Sequence, residues 1–386
     1  MSIFTDQAAI VGIGYTKFTQ AAGVSTLSLV AEAALNAIHD AGLKTKQIHG
    51  TASYTRSDSP NQAVLETMLG LEQLYWNFDD TPGASWCCDE LIGMAGAAAA
   101  QDLGDYVIVF HPVNRWANRN PMIGLGGMDS GGIWEEAQFA LPYGANAGVH
   151  RAALMARRRM IKYGTTPEHF GHVVEAERSN AALNDRALLR THITMDDYLS
   201  SPMVAEPLRS LDCFVEAVGA CAVIVTSAER AKNLRHPPVY IMAVQSGHIE
   251  HPGLGFMSPE FGQCFGERMG KRLFEQAGIT PKDVDAAELH DPFSWTVLAQ
   301  LEDLGFCGPG EAGDFVADGR IKLGGQLPVN THGGSLAEGE MEGLAHVVEA
   351  VSQLRGDAGP RQVKDAEIIL CTSHEFDRGS ALILRR

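Results

Sequence analysis

The sequence predicts an α/β fold made twice over: two βαβαββ halves forming a layered α-β-α-β-α body, with a loop or cap region inserted in the first half. Three observations predict it. Short apolar runs of strand character alternate with stretches of helical period. The segment Ala41-Gly42-Leu43-Lys-Thr-Lys46-Gln-Ile48-His49 returns in the second half as Ala277-Gly278-Ile279-Thr-Pro-Lys282-Asp-Val284-Asp285, with helix stop, lysine and apolar positions coinciding. Each half then continues with a Gly/Ala-rich helix and closes with an apolar strand pair.

Taken in order, residues 8 to 14 make a first strand, and Leu27 to Asp40 has helical period closed by Ala41-Gly42 as a C-terminal stop. A strand follows at Gly50–Tyr54, a helix at Gly93–Ala100, and the strand pair at Tyr106–Phe110 and Cys221–Thr226. The second half opens with a strand at Pro238–Val244 and a helix ending near Gln276. It continues with a helix at Gly343–Val351 and closes with strands at Glu367–Cys371 and Ala381–Leu384. The expected divisions are 1–110 with 219–234 for the N-terminal half, 111–218 for the insertion, and 235–386 for the C-terminal half. The insertion shows no strand periodicity; it carries Gly124-Leu-Gly-Gly127, Gly131-Gly132 and a basic helix from Arg151 to Lys162.

Composition narrows the function. The 386 residues are 45% hydrophobic and 20% charged, the balance of a soluble globular protein. Forty-seven acidic against 30 basic residues give a net charge of −17, which argues against a nucleic-acid surface. With no basic, apolar leader and no run of about 20 apolar residues, neither secretion nor a membrane span is expected, and a cytoplasmic location is. Seven scattered cysteines read as reduced thiols, and none has metal-site spacing, so no metal is expected. Absence of a phosphate-cradling Gly-x-Gly-x-x-Gly or P-loop argues against a nucleotide-dependent oxidoreductase or kinase.

The stretch that organises the chain is Asp285-Ala-Ala-Glu-Leu-His290-Asp291-Pro292-Phe293. A short alternating run ends in two polar residues, and helical spacing begins at Thr296. Asp291 suits an N-cap and Pro292 the first helical position, which puts His290 at a strand's carboxyl end beside a helix N-terminus. Ligands bind at that edge of an α/β sheet. As a lone residue His290 also fits a turn position hydrogen-bonded to backbone.

His290-Asp291-Pro-Phe293 resembles the His-Asp-x-Phe motif of the thiolase superfamily, and Asn330-Thr-His332-Gly333-Gly334 with Gly339-Glu340-Met-Glu-Gly343 resembles its Asn-x-x-Gly-Gly loop and later Gly-His-Pro-x-Gly. The resemblance spans nearly the whole chain. Pro207-Leu-Arg-Ser-Leu-Asp212-Cys213, Leu301-Glu-Asp-Leu-Gly-Phe306-Cys and Leu327-Pro-Val-Asn330 look most like the lipid-transfer, sterol-carrier-protein-type branch. That branch includes aldolases acting on steroid side-chain acyl-CoA thioesters with a small OB-fold partner. The resemblance implies a thiolase-like fold, a homodimer paired through an edge strand near 105–110, and coenzyme A as part of the substrate, with no cofactor bound by the chain itself.

The departures decide the chemistry. Cys87 falls at the nucleophile position, in Trp86-Cys87-Cys88-Asp89-Glu90; Glu340 replaces the Gly-His-Pro histidine; and Cys371 is followed by Thr-Ser-His374-Glu375 where glycines would build an oxyanion hole. An ionised Glu340 raises a neighbouring thiol's pKa, as do acids directly after Cys87-Cys88. Acyl-enzyme chemistry is therefore disfavoured. Retro-aldol cleavage of a β-hydroxyacyl-CoA needs a base for the β-hydroxyl and donors for the thioester oxygen. Glu340 suits the first task. A neutral His290, kept so by the helix N-terminus, suits the second. At the positions matching these two, the resemblance implies tyrosines in the steroid aldolases.

The expected reading is thus an acyl-CoA carbon–carbon lyase; a Claisen-type acyltransferase using Cys87 and an inactive acyl-CoA-binding subunit remain alternatives. His332 and His374 are candidate proton carriers. Asn330, Gly333 and Gly334 are candidate substrate contacts, the glycines by close backbone approach. Arg158, with Arg151, Arg157, Arg159 and Lys162, is a candidate for coenzyme A phosphates, against a solvated basic face. Glu340 also fits a plain acid near a helix start, and Cys87 a buried small hydrophobe.

Overall fold

The computed structural model describes residues 5–21, 23–54, 60, 62–80, 87–114, 141–145, 147–251 and 255–386. Trp86 and the glycine runs at 124–127 and 131–132 lie outside them. The strands are β1 (Ala8–Tyr15), β2 (Gly50–Tyr54), β3 (Trp76–Asp80), β4 (Tyr106–Asn114), β5 (Met203–Ala205), β6 (Leu208–Arg209), β7 (Val218–Ser227), β8 (Val239–His248), β9 (Ala286–Glu288), β10 (Ile368–Glu375) and β11 (Arg378–Arg385). The helices used below are α1 (Thr26–Asp40), α2 (Gln62–Leu69), α3 (Cys88–Ala100), α4 (Gly148–Tyr163), α5 (Pro167–Ala182), α6 (Met195–Ser200), α7 (Glu267–Ala277), α8 (Ser294–Asp303), α9 (Ala312–Ala317) and α10 (Leu344–Arg355).

The duplication is visible in strand order. In the first half β3, β2 and β4 run parallel, and β4 pairs antiparallel with β7, which pairs antiparallel with β1. In the second half β9 runs parallel to β10, and β10, β11 and β8 pair antiparallel in turn. The counterpart of β3 shrinks to one parallel bridge between Ala287 and Val329. Gly42 and Gly278 both take φ +73, and each is followed by a single 3₁₀ turn, at Thr45–Gln47 and Pro281–Asp283, that leads into the next strand. The sequence overlay is therefore a repeated helix stop and turn. The two halves join edge to edge through Ala9 with Tyr240 and Ile10 with Val239, giving one nine-stranded sheet.

Three buried clusters follow from this layering. Leu29, Val30, Ala33, Ala37 and Ile38 of α1 cover one outer face. Leu91, Ile92 and Ala95 of α3 lie with Leu344, Val347, Val348 and Val351 of α10 in the middle layer, against strands of both halves. Trp295, Leu298 and Leu301 of α8, with Leu273 of α7, fill the other side. In the insertion, Val149 and Ala152 of α4 and Phe170 and Val173 of α5 join that third cluster, so these two helices pack on the second half. It also contains the small β5–β6 hairpin, which the lack of strand periodicity did not foretell because only one of its residues is buried.

The expected dimer edge is corrected. The 105–110 stretch belongs to β4, which is hydrogen-bonded on both sides, and the strand at the end of the sheet is β3. A continuous apolar run of this kind is what an interior strand requires.

Close approach of α1 to β1 depends on Gly14, where an added Cβ would strike the Ala33 carbonyl oxygen and the Ala37 nitrogen. Gly14→Ala is expected to destabilise by about 1–3 kcal/mol, seen as a lower urea midpoint with unchanged slope.

Candidate active site

After Glu288 the chain leaves the strand but stays tied to its neighbours. Asn330, held at φ +48, accepts the Leu289 N–H at 2.7 Å and donates to the Leu289 carbonyl at 2.8 Å. The His290 N–H donates to Thr372 Oγ1 at 3.0 Å, and its carbonyl accepts from Gln300 Nε2 at 2.8 Å. His290 is thus placed by main-chain bonds to β10 and α8.

Asp291 is not the expected cap of the following helix. α8 begins at Ser294, with Phe293 as its N-cap and Pro292 outside the helix. The Asp291 carboxylate instead accepts the N–H groups of Ser335 at 2.8 Å and Leu336 at 3.0 Å, opening the helical turn Gly334–Ala337, and it pairs with His346 Nε2 at 2.9 Å. A short acid suits any helix start in reach, and the twin glycines bring this one in reach. Gly334 has φ +62, and an added Cβ would strike the Asp291 carboxylate; at Gly333 it would lie 2.6 Å from Ala181 Cβ. Both glycines therefore serve close packing within the protein.

The loop that ends in Glu340 is fixed the same way. The Glu340 N–H donates to the Val215 carbonyl, and the Val215 N–H donates to the Ser335 carbonyl, each at 2.9 Å. Glu342 at φ +53 and Gly343 at φ +91 separate Glu340 from the start of α10. Its carboxylate lies 3.0 Å from His290 Nε2, both side chains being buried. The imidazole and the acid expected to share a pocket do so.

The surroundings of His290 run against a neutral ring. Burial lowers its pKa, but the charge and hydrogen bond of Glu340, with Glu342 and Asp291 behind, outweigh this and raise it to about 9. Nδ1 lies 3.3 Å from the His374 N–H, a contact that favours the neutral ring. Such a bond contributes about 1 kcal/mol, whereas a rise from 6.5 to about 9 corresponds to about 3 kcal/mol. The surrounding carboxylates therefore favour the protonated ring, paired with Glu340. The helix N-terminus expected to keep it neutral starts four residues later, at Ser294.

On the first-half side, Cys87 is buried at the N-cap of α3. Burial, with Asp89 beside it, pushes the Cys88 thiol well above its ordinary range. Asp89, read from sequence only as a charge unfavourable to a thiolate, sits fully buried facing Ser373 Oγ at 2.8 Å. Burial raises its pKa to about 7, against the Ser373 hydrogen bond and the charge of His290. Tyr54 of β2 donates to the Glu342 carbonyl at 2.9 Å and stacks on His111 at 4.0 Å between ring centroids. The site thus lies at the junction of the halves: β9 and β10 on one side, the start of α3 on the other.

The remaining candidates separate into supports and outliers. His374 donates from Nε2 to the His290 carbonyl at 2.9 Å, and burial and His290's charge lower its pKa to about 3. Those causes favour a neutral ring that supports His290. His332 lies in a second buried network, 2.9 Å from Glu288 and 3.6 Å from Glu338. Glu338 is held by Asn184 and Arg186, and Glu349 by Arg186 and Arg361. Asn330 also donates to Glu177 Oε1 at 2.8 Å, so its amide serves the fold. Arg151, Arg157 and Arg159 pair with Asp377, Glu206 and Glu302, while Arg158 is exposed on α4. Asp89, Asp291, His346 and Glu177 were missed, because nothing in local spacing shows that they meet His290 or its loop.

One group among the described residues has metal-ligand character: His290, Glu340 and Glu342 place ligand atoms within 4.8 Å of one another. The histidine argues against it. A ligating imidazole donates its other N–H to an acceptor, whereas Nδ1 here faces the His374 amide donor.

A family model described as thiolase C-terminal domain-like matches residues 257–378. The solved structure of the Ltp2-ChsH2(DUF35) aldolase overlays with a TM-score of 0.90 at 35% identity, over 100% of this chain and 99% of that one. The chain belongs to the thiolase superfamily. It is 36% identical to the steroid side-chain-cleaving aldolase of Thermomonospora curvata, over 100% of this chain and 99% of that protein. It is 38% identical to the 17-hydroxy-3-oxo-4-pregnene-20-carboxyl-CoA lyase of Mycobacterium tuberculosis, over 99% and 100%. Within the superfamily its place is the lipid-transfer branch, among aldolases and lyases.

His332 offers a test of the second network. Burial lowers its pKa, but Glu338 and Glu288 raise it to about 9. The stabilisation is fully present below about pH 6.5 and is lost as pH rises through about 9, amounting to about 2–4 kcal/mol. His332→Gln is expected to lower the urea midpoint at pH 6 and to flatten its fall between pH 6.5 and 9.

Proposed function

We propose that this chain cleaves a carbon–carbon bond in a β-hydroxyacyl-CoA by retro-aldol chemistry, with a bulky, steroid-like acyl group as substrate. The observation that carries this is the buried His290–Glu340 pair, 3.0 Å apart, at the junction of the two halves. Relatives that cleave steroid side chains support the substrate class.

In this reading Glu340 takes the β-hydroxyl proton, the oxygen's electrons close a carbonyl, and the Cα–Cβ bond breaks with its electrons passing to the thioester as an enolate. His290, kept cationic by the surrounding acids, stabilises the negative charge that develops on the thioester oxygen. The high thiol pKa at Cys88 and the acid next to it leave the Cys87–Cys88 turn without support for a thiolate nucleophile. No metal or cofactor enters the reading, and coenzyme A comes as part of the substrate.

Two partners belong to the proposal. One is a small OB-fold protein, as the DUF35 partner in the related aldolase complex suggests. The other is a second copy of the chain, paired through the sheet end at β3.

Glu340→Gln keeps the size and a hydrogen-bonding oxygen but removes the base. It is expected to lower kcat for cleavage at least 100-fold with an unchanged circular dichroism spectrum. Unchanged turnover would remove Glu340 from the reaction.

A further inference from the structure

Carbon–carbon cleavage leaves an enolate whose α-carbon must receive a proton, and the His290–Glu340 pair accounts only for the first half of the exchange. We infer that Asp89 is the second acid–base residue of this site, protonating the α-carbon from the first-half side. The inference rests on the lyase reading above and adds the residue that completes its proton balance.

Three features of its surroundings carry it. First, Asp89 Oδ2 is bonded to Ser373 Oγ at 2.8 Å, and Ser373 Oγ lies 2.9 Å from Ser380 Oγ. A hydroxyl turns from donor to acceptor by rotating about its C–O bond. These partners therefore hold the carboxyl in either protonation state without moving a heavy atom. Three other buried acids contrast with this. Glu349 faces two guanidinium groups, Asp303 accepts three backbone N–H groups, and Asp291 accepts two with a histidine; those donors fix the ionised form.

Second, Asp89 Oδ1 is fully buried with no hydrogen-bond partner among the described residues. A buried carboxyl oxygen left without a partner costs free energy, which a bound substrate or water meeting it would recover.

Third, the His290 ring and Asp89 lie on the side of the sheet covered by α3 and α10: the ring centroid stands 5.7 Å from that of His346 of α10, the charge of His290 acts on the Asp89 carboxyl, and Ser373 of β10 bonds that carboxyl. An added Cβ at Gly343 would lie 2.8 Å from Ser373 Cβ and 3.6 Å from Cys88 Cβ, so the loop carrying Glu340 and Glu342 packs on the same spot. The titratable groups facing Asp89 are His290, Cys371 of β10, and Cys88 on its own helix, with Tyr54 of β2 behind Cys88.

The steps balance. Glu340 gains the β-hydroxyl proton, the ketone or aldehyde departs, and the enolate's electron pair takes the Asp89 proton at the α-carbon. Water then reprotonates Asp89 and removes the proton from Glu340. In the reverse sense an ionised Asp89 withdraws an α-proton from a saturated acyl-CoA, a half-reaction that needs no β-hydroxyl.

That half-reaction is the test. Purified protein, with its partner if one co-purifies, is incubated with propionyl-CoA in D₂O, and deuterium entry at the α-carbon is followed by mass spectrometry. Wild type is expected to exchange, and Asp89→Asn to exchange at least 100-fold more slowly with an unchanged circular dichroism spectrum. The wild-type exchange rate is expected to rise with pH around 7, the range to which burial lifts this carboxyl. Exchange retained in Asp89→Asn, or absent in a wild type that cleaves a β-hydroxyacyl-CoA, overturns the inference and leaves the lyase reading standing. A wild type that exchanges but cleaves no β-hydroxyacyl-CoA sinks the lyase reading while the role of Asp89 as a proton carrier survives. If Asp89→Asn does not fold, Ser373→Ala decides: loss of that hydrogen bond moves the exchange midpoint to higher pH, and an unmoved midpoint overturns the inference.

Discussion

Two opposite charges buried side by side, His290 and Glu340, set the terms for everything around them. Removing a charge from water costs several kcal/mol, and the attraction of its partner offsets this only when geometry is held tightly. The surrounding structure supplies that hold through main-chain bonds. Leu289 is fixed by Asn330, His290 by Thr372, Gln300 and His374, and Glu340 by Val215. The twin glycines, the left-handed Asn330 and the Asp291 carboxylate all belong to that frame.

The fold was legible to the extent that local rules carried it. Apolar period and the repeated helix stop located strands and helices in both halves, and the Gly42 and Gly278 conformations show that the overlay marked a real turn. What local rules could not supply was partner choice. Asp291 reads as a cap for the helix next in sequence, yet it caps a turn over forty residues away because Gly333 and Gly334 let that turn approach. The 105–110 run reads as an available edge, but strand order buries it between β2 and β7.

For the site, the imidazole and the acid singled out from the sequence lie side by side, and the acids around the ring favour its charged form. That charge depends on three carboxylates converging on one ring, and two of them come from a loop some fifty positions away. Asp89 shows the reverse case. Beside two cysteines in sequence it is an obstacle to thiolate chemistry; in space it is a buried acid held by hydroxyl groups that tolerate either of its forms. His332 and His374, adjacent to the same loops, differ in what dominates: His332 lies between acids, while burial and the charge of His290 prevail at His374.

The inserted segment is stitched to the chemistry by backbone alone. Phe214 bonds Pro292, Val215 bonds Ser335 and receives Glu340, and Cys213 bridges to Phe293. A region joined in this manner cannot swing clear as a hinged cover without unfastening the base itself. A substitution that shifts the 213–215 backbone is therefore transmitted directly to the main chain of Glu340.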